Sequence, residues 1–235
     1  MKNEKVLLPL FKELKTKVDN QDFVIDKSGV KVVELIAPRI ELNPQQPLLK
    51  FNGRKTPEKY VNAELDWYLS EDLNVRNISE HASIWKDVSD EAGYINSNYG
   101  YLVYSASNHH QYYNCWKELC KNKESRRAIQ IYTRPSMHYD YNRDGMSDFI
   151  CTLAHQFFIR NNELISVVNC RSVDFIFGFF NDFYWFSYIH NEMFEDLLKT
   201  YSELKNGKMI YVPNSLHIYE RHFDMLNKIC ETTFE

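Results

Sequence analysis

A chain of 235 residues, 44% hydrophobic and 26% charged, is long enough to bury one sizeable core, so a single domain over residues 1–235 is expected. Its 28 basic and 32 acidic residues leave a formal net charge of -4, which excludes a global basic field for non-specific nucleic-acid binding and confines phosphate binding to a local site. Five cysteines form an odd set without a Cys-x-x-Cys pair, which argues against a disulfide framework or structural zinc and for a reducing cytoplasm.

The N-terminal stretch MKNEKVLLPLFKELKTK lacks the unbroken apolar centre of a signal peptide. Val6, Leu7, Leu10, Phe11, Leu14 and Val18 recur at three- and four-residue steps, which predicts an amphipathic helix. FVIDKSGVKVVELIA alternates around Ser28-Gly29 as strand, turn and strand, and APRIELNPQQPLL follows as a Pro-rich connector. In TPEKYVNAELDWYLS, Thr56 stands at the cap and Pro57 at the first position of a helix that carries Glu64. Residues 105–122 are expected to be helical on Tyr112, Trp116 and Leu119, and RRAIQIYTRP, DFICTLAHQFFI and LISVVNCRS to be successive strands. Residues 174–201 are expected to form a buried helix, and Asp174, Asp182, Asn191 and Glu192 in the apolar segment 173–198 argue against a membrane span. KMIYVPNSLHIYERH closes the chain as strand, turn and strand leading into a short helix. Without repeats or linkers, helices interleave with strands in one α+β unit.

Charge in the apolar run CRSVDFIFGFFND marks a candidate site, because Arg171, Asp174 and Asp182 are costly there unless paired or bound. On spacing alone Cys151 is a small buried hydrophobe. Cys170 adjoins Arg171, but successive strand residues face opposite ways, so if Arg171 faces a site Cys170 faces away. DYNRDGMSDFIC follows the calcium-loop pattern until its twelfth position, where Cys151 replaces the bidentate Glu, and an Asx turn is expected instead. Arg126-Arg127 suits either a solvated surface or a phosphate. His81, His109, His110, His138 and His155 lack metal-ligand companions and are read as surface or satisfied core residues. Neither a GxGxxG nor a P-loop is present.

Four blocks, EAGYINSNYGYLVYS, SRRAIQIYTRPSMHYDYNRDGMSDFICT, VVNCRSVDFIFGFFND and SLHIYERHF, together resemble the thymidylate synthase superfamily, most closely its bacteriophage deoxycytidylate (dCMP) hydroxymethylases. The signature cysteine, followed after twenty residues by Arg-Ser-x-Asp, stands here as Cys151 and Arg171, Ser172 and Asp174. The resemblance implies an α+β fold, with a mixed β-sheet packed against helices and a homodimer formed through the sheets. It implies a one-carbon transferase without a metal. Cys151 adds to carbon 6 of dCMP, carbon 5 attacks 5,10-methylenetetrahydrofolate, and water captures the exocyclic methylene to give 5-hydroxymethyl-dCMP and tetrahydrofolate.

Roles follow by position from the same resemblance. Arg171 and Ser172 match residues that hold the nucleotide phosphate, and Arg171 would also favour the Cys151 thiolate. Arg126 and Arg127 match a pair that reaches this phosphate across the dimer interface. Lys27 stands where the synthases have an arginine on a mobile phosphate-binding loop. Glu64 matches the glutamate that organises water and proton transfers. His217 and Tyr219 match residues that hold the sugar 3′-hydroxyl, and Trp85, Tyr99 and Asp174 fall on the folate side of the pocket.

Asp182 replaces the synthases' Asn, whose amide pairs with uracil. An ionised Asp only accepts, so it would take the cytosine amino group and repel the uracil carbonyl, and with a raised pKa it could share a proton with ring nitrogen 3. Ile150-Cys151-Thr152 replaces Pro-Cys-His, and with ICETTFE as the last residues the long tail that closes over folate in the synthases is expected to be missing. Methylation of dUMP or dCMP, or hydroxymethylation of CMP or dUMP, are alternatives on the same scaffold. A non-catalytic member of a nucleotide-synthesis assembly or an RNA-binding protein is the alternative of another class. Expected partners are dCMP, folate, a second copy of the chain and other nucleotide-synthesis enzymes, with no membrane or nucleic acid. The product suits phage DNA modification in the cytoplasm, that of the host cell if the chain is phage-encoded.

Overall fold

The opening periodicity folds as α1 (Asn3–Asp19), which buries Leu7, Leu8, Phe11 and Leu14 in the computed structural model; the structure describes residues 2–234. A hairpin of β1 (Val24–Ile25) and β2 (Lys31–Ile36) follows. Its turn is tied by the Asp26 carboxylate, which accepts from the Ser28 and Val30 N–H groups, and by Gly29 at φ +80°. The Pro-rich stretch is more than a connector, because it contains β3 (Ile40–Leu42). A small hairpin, β4 (Lys50–Phe51) and β5 (Arg54–Lys55), was not expected either. Next comes α2 (Glu58–Leu69), whose cap position is Pro57; the Thr56 hydroxyl accepts from the Leu49 N–H at 3.0 Å instead of capping the helix.

The middle of the chain is built of short pieces. After α3 (Ile84–Val88) and α4 (Tyr99–Tyr104), the helix expected over 105–122 begins only with α5 (Gln111–Lys121). His109 and His110 both adopt left-handed backbone at φ 60° and 48°, which no α-helix can pass through. Then follow β6 (Ile129–Ile131), α6 (Met137–Asp140), β7 (Thr152–Arg160), β8 (Glu163–Cys170) and β9 (Val173–Asp174). The long apolar helix is α7 (Gly178–Leu198); it starts later than expected because residues 173–174 are strand and the Asp174 carboxylate takes the Ile176 N–H in the turn between. The chain closes with β10 (Lys205–Pro213), β11 (Ser215–Tyr219) and α8 (Phe223–Cys230).

Beside the β4–β5 hairpin, the described residues form two larger sheets, in strand orders β1-β2-β11-β9 and β3-β10-β8-β7-β6, both mixed because β11/β9 and β10/β8 are parallel pairs. β7 and β8 are joined by Asn161 and Asn162, both with positive φ, the two-residue turn whose twist suits a hairpin. One face of the five-stranded sheet, with Phe157, Leu164, Val168, Met209 and Tyr211, is buried. α7 packs on this side and buries Phe179, Phe180, Phe183, Trp185 and Phe186, each worth about 1.5–3 kcal/mol. The opposite face presents Phe158, Ile165, Val167 and Ile210, only half-buried. His155 is a core residue but not a satisfied one: it is fully buried, and neither ring nitrogen has a hydrogen-bond partner. No described helix is long and apolar enough to cross a membrane.

Candidate active site

The spacing of twenty between Cys151 and Arg171 is hairpin arithmetic. Thr152 pairs with Cys170 at the open end of β7 and β8, and one step beyond, the Arg171 N–H donates to the Cys151 carbonyl at 2.8 Å. The Arg171 side chain folds back over the cysteine segment. Its Nε donates to the Ile150 carbonyl at 3.0 Å, its Nη2 donates to the Phe149 carbonyl at 2.6 Å and lies 3.4 Å from Cys151 Sγ, and the guanidinium lies over the Phe149 ring. Cys170 faces the other way, as alternation requires, and its thiol donates to the Tyr211 hydroxyl.

Cys151 lies on the wall of a cavity of about 860 Å³, within the usual range for ligand sites. Lys27, Glu64, Trp85, Tyr99, Arg171, Asp174 and Asp182 line the same cavity, brought there from the β1–β2 turn, α2, α3, α4, the strand crossing and α7. Tyr99 is fixed twice: Asn98 caps α4, and Thr152 donates to the Tyr99 hydroxyl at 3.0 Å. Gly100 is needed here, since a Cβ would stand 1.8 Å from the Tyr68 carbonyl oxygen. Ser172, His217 and Tyr219 stand beside the cavity and not on its wall, with His217 paired to Asp174 across the β11/β9 ladder. Arg126 and Arg127 are not brought to the cavity; both are exposed, and Arg127 pairs with Glu118 at 3.0 Å.

Burial sets the electrostatics. It pushes the Cys151 thiol above its ordinary pKa; Arg171 works against that rise, and Asp182 and Asp148 add to it. Burial raises Glu64 to about 8, with a lowering contribution from a Tyr60 hydrogen bond and a raising one from Asp182. Burial alone raises Asp182 to about 7. Asp182 lies inside α7, past its first residues, so it does not cap the helix. His217 is pushed below its ordinary value by burial, with Asp174 acting against the shift.

Sequence reasoning missed much of the wall. Tyr60, Ser97, His138, Tyr141, Asp148 and Asn181 also line it. Tyr60 was within reach, being one helical turn before Glu64 on the same face. Asp148 sits in the calcium-like segment, where its carboxylate accepts from the Ser97 hydroxyl and from the N–H groups of Asn96 and Ser97. Among the described residues no group of three or more His, Cys, Asp or Glu side chains is placed to hold a metal ion.

A mixed-sheet α+β fold that sets a cysteine beside an arginine and two high-pKa carboxyls over one cavity defines the class: the chain belongs to the thymidylate synthase family, whose profile matches residues 11–234. Within that family it is 43% identical, over 95% of its length and 89% of theirs, to the deoxycytidylate 5-hydroxymethyltransferases of Enterobacteria phages T4 and T2. Its identity to the enzyme of the same name from phage T6 is 42%, over the same shares.

Proposed function

We propose that the protein is a deoxycytidylate 5-hydroxymethyltransferase acting as a single domain over residues 1–235, in the cytoplasm of a host cell if it is phage-encoded like these relatives. Asp182 carries the reading: a buried carboxyl beside the nucleophile supplies what the amino edge of cytosine needs and a uracil carbonyl does not.

Cys151 adds its sulfur to carbon 6 of dCMP, with Arg171 favouring the thiolate against burial. Arg171, Ser172 and Lys27 hold the phosphate, and His217 and Tyr219 hold the sugar 3′-hydroxyl from beside the cavity. Asp182 accepts from the cytosine amino group and, near its pKa of about 7, shares a proton with ring nitrogen 3. Breaking the carbon 5–carbon 6 double bond makes carbon 5 nucleophilic.

The cavity suits a second flat ring beside the base. Trp85, Tyr99 and Phe177 offer apolar walls, Asp174 lies among them, and the buried Asn181 Oδ1 has no hydrogen-bond donor of its own. Bound there, 5,10-methylenetetrahydrofolate would supply the electrophilic carbon that carbon 5 takes up, and loss of the carbon 5 hydrogen as a proton and of tetrahydrofolate from that carbon would leave the exocyclic methylene on the base. Glu64 then receives a proton from the water that adds to the exocyclic carbon on the base.

The half-exposed face of Phe158, Ile165, Val167 and Ile210 suits burial against a second copy of the chain. In such a homodimer the exposed Arg126 and Arg127 serve the partner's phosphate site.

Release of tritium from [5-³H]dCMP tests this reading. It is expected to require both the folate and Cys151; release that persists in Cys151→Ser would refute the nucleophile.

A further inference from the structure

We propose that Tyr60 is a positioning residue which holds the Glu64 carboxylate ready to receive the proton of the attacking water, a role that rests on the hydroxymethyl-transfer reading above. The Tyr60 hydroxyl donates to Glu64 Oε1 at 2.5 Å and accepts from the Trp85 indole Nε1 at 2.9 Å. An indole N–H can only donate, so the phenol accepts from Trp85 and its single hydrogen goes to Glu64 whenever Glu64 is ionised, since a carboxylate can only accept. Burial pushes the phenol far above its ordinary pKa, which keeps it a donor throughout the working range. With Oε1 occupied, Oε2 is the oxygen left for the cavity, and it makes no hydrogen bond among the described residues.

The hydrogen bond opposes burial where catalysis needs it. The titratable groups facing Glu64 are Tyr60 and Tyr68 of α2, Tyr99 of α4 and Asp182 of α7. Glu80, next to α2, and Lys86 and Asp87 of α3 are exposed. The three phenols are neutral, so Asp182 is the facing carboxyl that raises Glu64, and Tyr60 is the group that lowers it. In the water step a bond forms between the water oxygen and the exocyclic carbon, and one water proton passes to Glu64. The displaced electron pair runs through carbon 5 to restore the carbon 5–carbon 6 double bond, and the Cys151 thiolate leaves carbon 6. A protonated Glu64 cannot take that proton. Tyr60 therefore sets how much of the enzyme is competent at neutral pH.

The test is the pH profile of 5-hydroxymethyl-dCMP formation. Tyr60→Phe is expected to move the rising limb of kcat up by about one to two pH units, costing about ten- to a hundredfold near pH 7 and recovering in alkali. Incorporating 3,5-difluorotyrosine at position 60, a more acidic phenol of nearly the same shape, is expected to move the limb down, and this variant keeps the test available if Tyr60→Phe fails to fold. An unmoved limb in the difluoro protein, or a uniform loss at every pH in Tyr60→Phe, would overturn the role. If the wild-type protein makes no hydroxymethyl product, the reading beneath fails and the positioning role goes with it.

Discussion

Arg171 Nη2 stands 3.4 Å from Cys151 Sγ at the point where the β7–β8 ladder ends, and two backbone carbonyls hold the guanidinium there. The cation opposes the burial that raises the thiol. Arg171→Ala should therefore raise the thiol further and slow alkylation of Cys151 by iodoacetamide at neutral pH by about tenfold or more. An unchanged alkylation-versus-pH curve would show that the guanidinium does not act on the sulfur.

Asp182 has no amide to offer a uracil carbonyl. Asp182→Asn restores the donor and acceptor pair and should move the kcat/KM ratio of dCMP to dUMP toward dUMP, through much of a discrimination on the order of 10⁴. A ratio equal to that of the wild type would sink the pairing argument.

Glu64 carries a stability cost with a defined pH window. Its folded pKa of about 8 lies above the ordinary 4.5, so the folded state favours the protonated form. That stabilisation is complete below 4.5 and is lost as the pH rises toward about 8. Glu64→Gln, which stays neutral, should match the wild type in urea midpoint near pH 4.5 and exceed it increasingly up to about pH 8. A gap that fails to widen would mean Glu64 titrates normally.

His155 has the opposite sign. Burial holds its folded pKa well below 6.5, so as the pH falls through 6.5 only the unfolded chain takes up the proton and stability declines. Since neither ring nitrogen has a partner, His155→Leu should cost little at neutral pH and reduce the loss measured by urea unfolding between about pH 7 and about pH 5. A parallel loss in both proteins would place the acid sensitivity elsewhere.

The β7–β8 hairpin was legible because its two strands alternate cleanly, whereas the pairing of Cys151 with Arg171 at its open end came from the family resemblance and not from spacing. Helices α1 and α7 announced themselves by apolar pattern alone. β3 hid between prolines, since three residues carry no period, and the late start of α5 depends on two histidines in a conformation that composition does not reveal. The cavity wall was the least legible part. Ser97 and Asp148 lie in loops and His138 in the single turn of α6, and all three reach the wall only through tertiary packing. Arg126 and Arg127 stand away from the cavity within one chain, and their expected role depends on a second copy.

The fate of the exocyclic methylene separates hydroxymethyl transfer from methylation, and product identity reads it directly. The purified protein is incubated with 5,10-methylenetetrahydrofolate and either dCMP or dUMP, and nucleotide and spent folate are identified by mass spectrometry. The predicted result is 5-hydroxymethyl-dCMP with tetrahydrofolate, and no conversion of dUMP. Thymidylate or 5-methyl-dCMP with dihydrofolate would contradict it, as would the absence of product from dCMP.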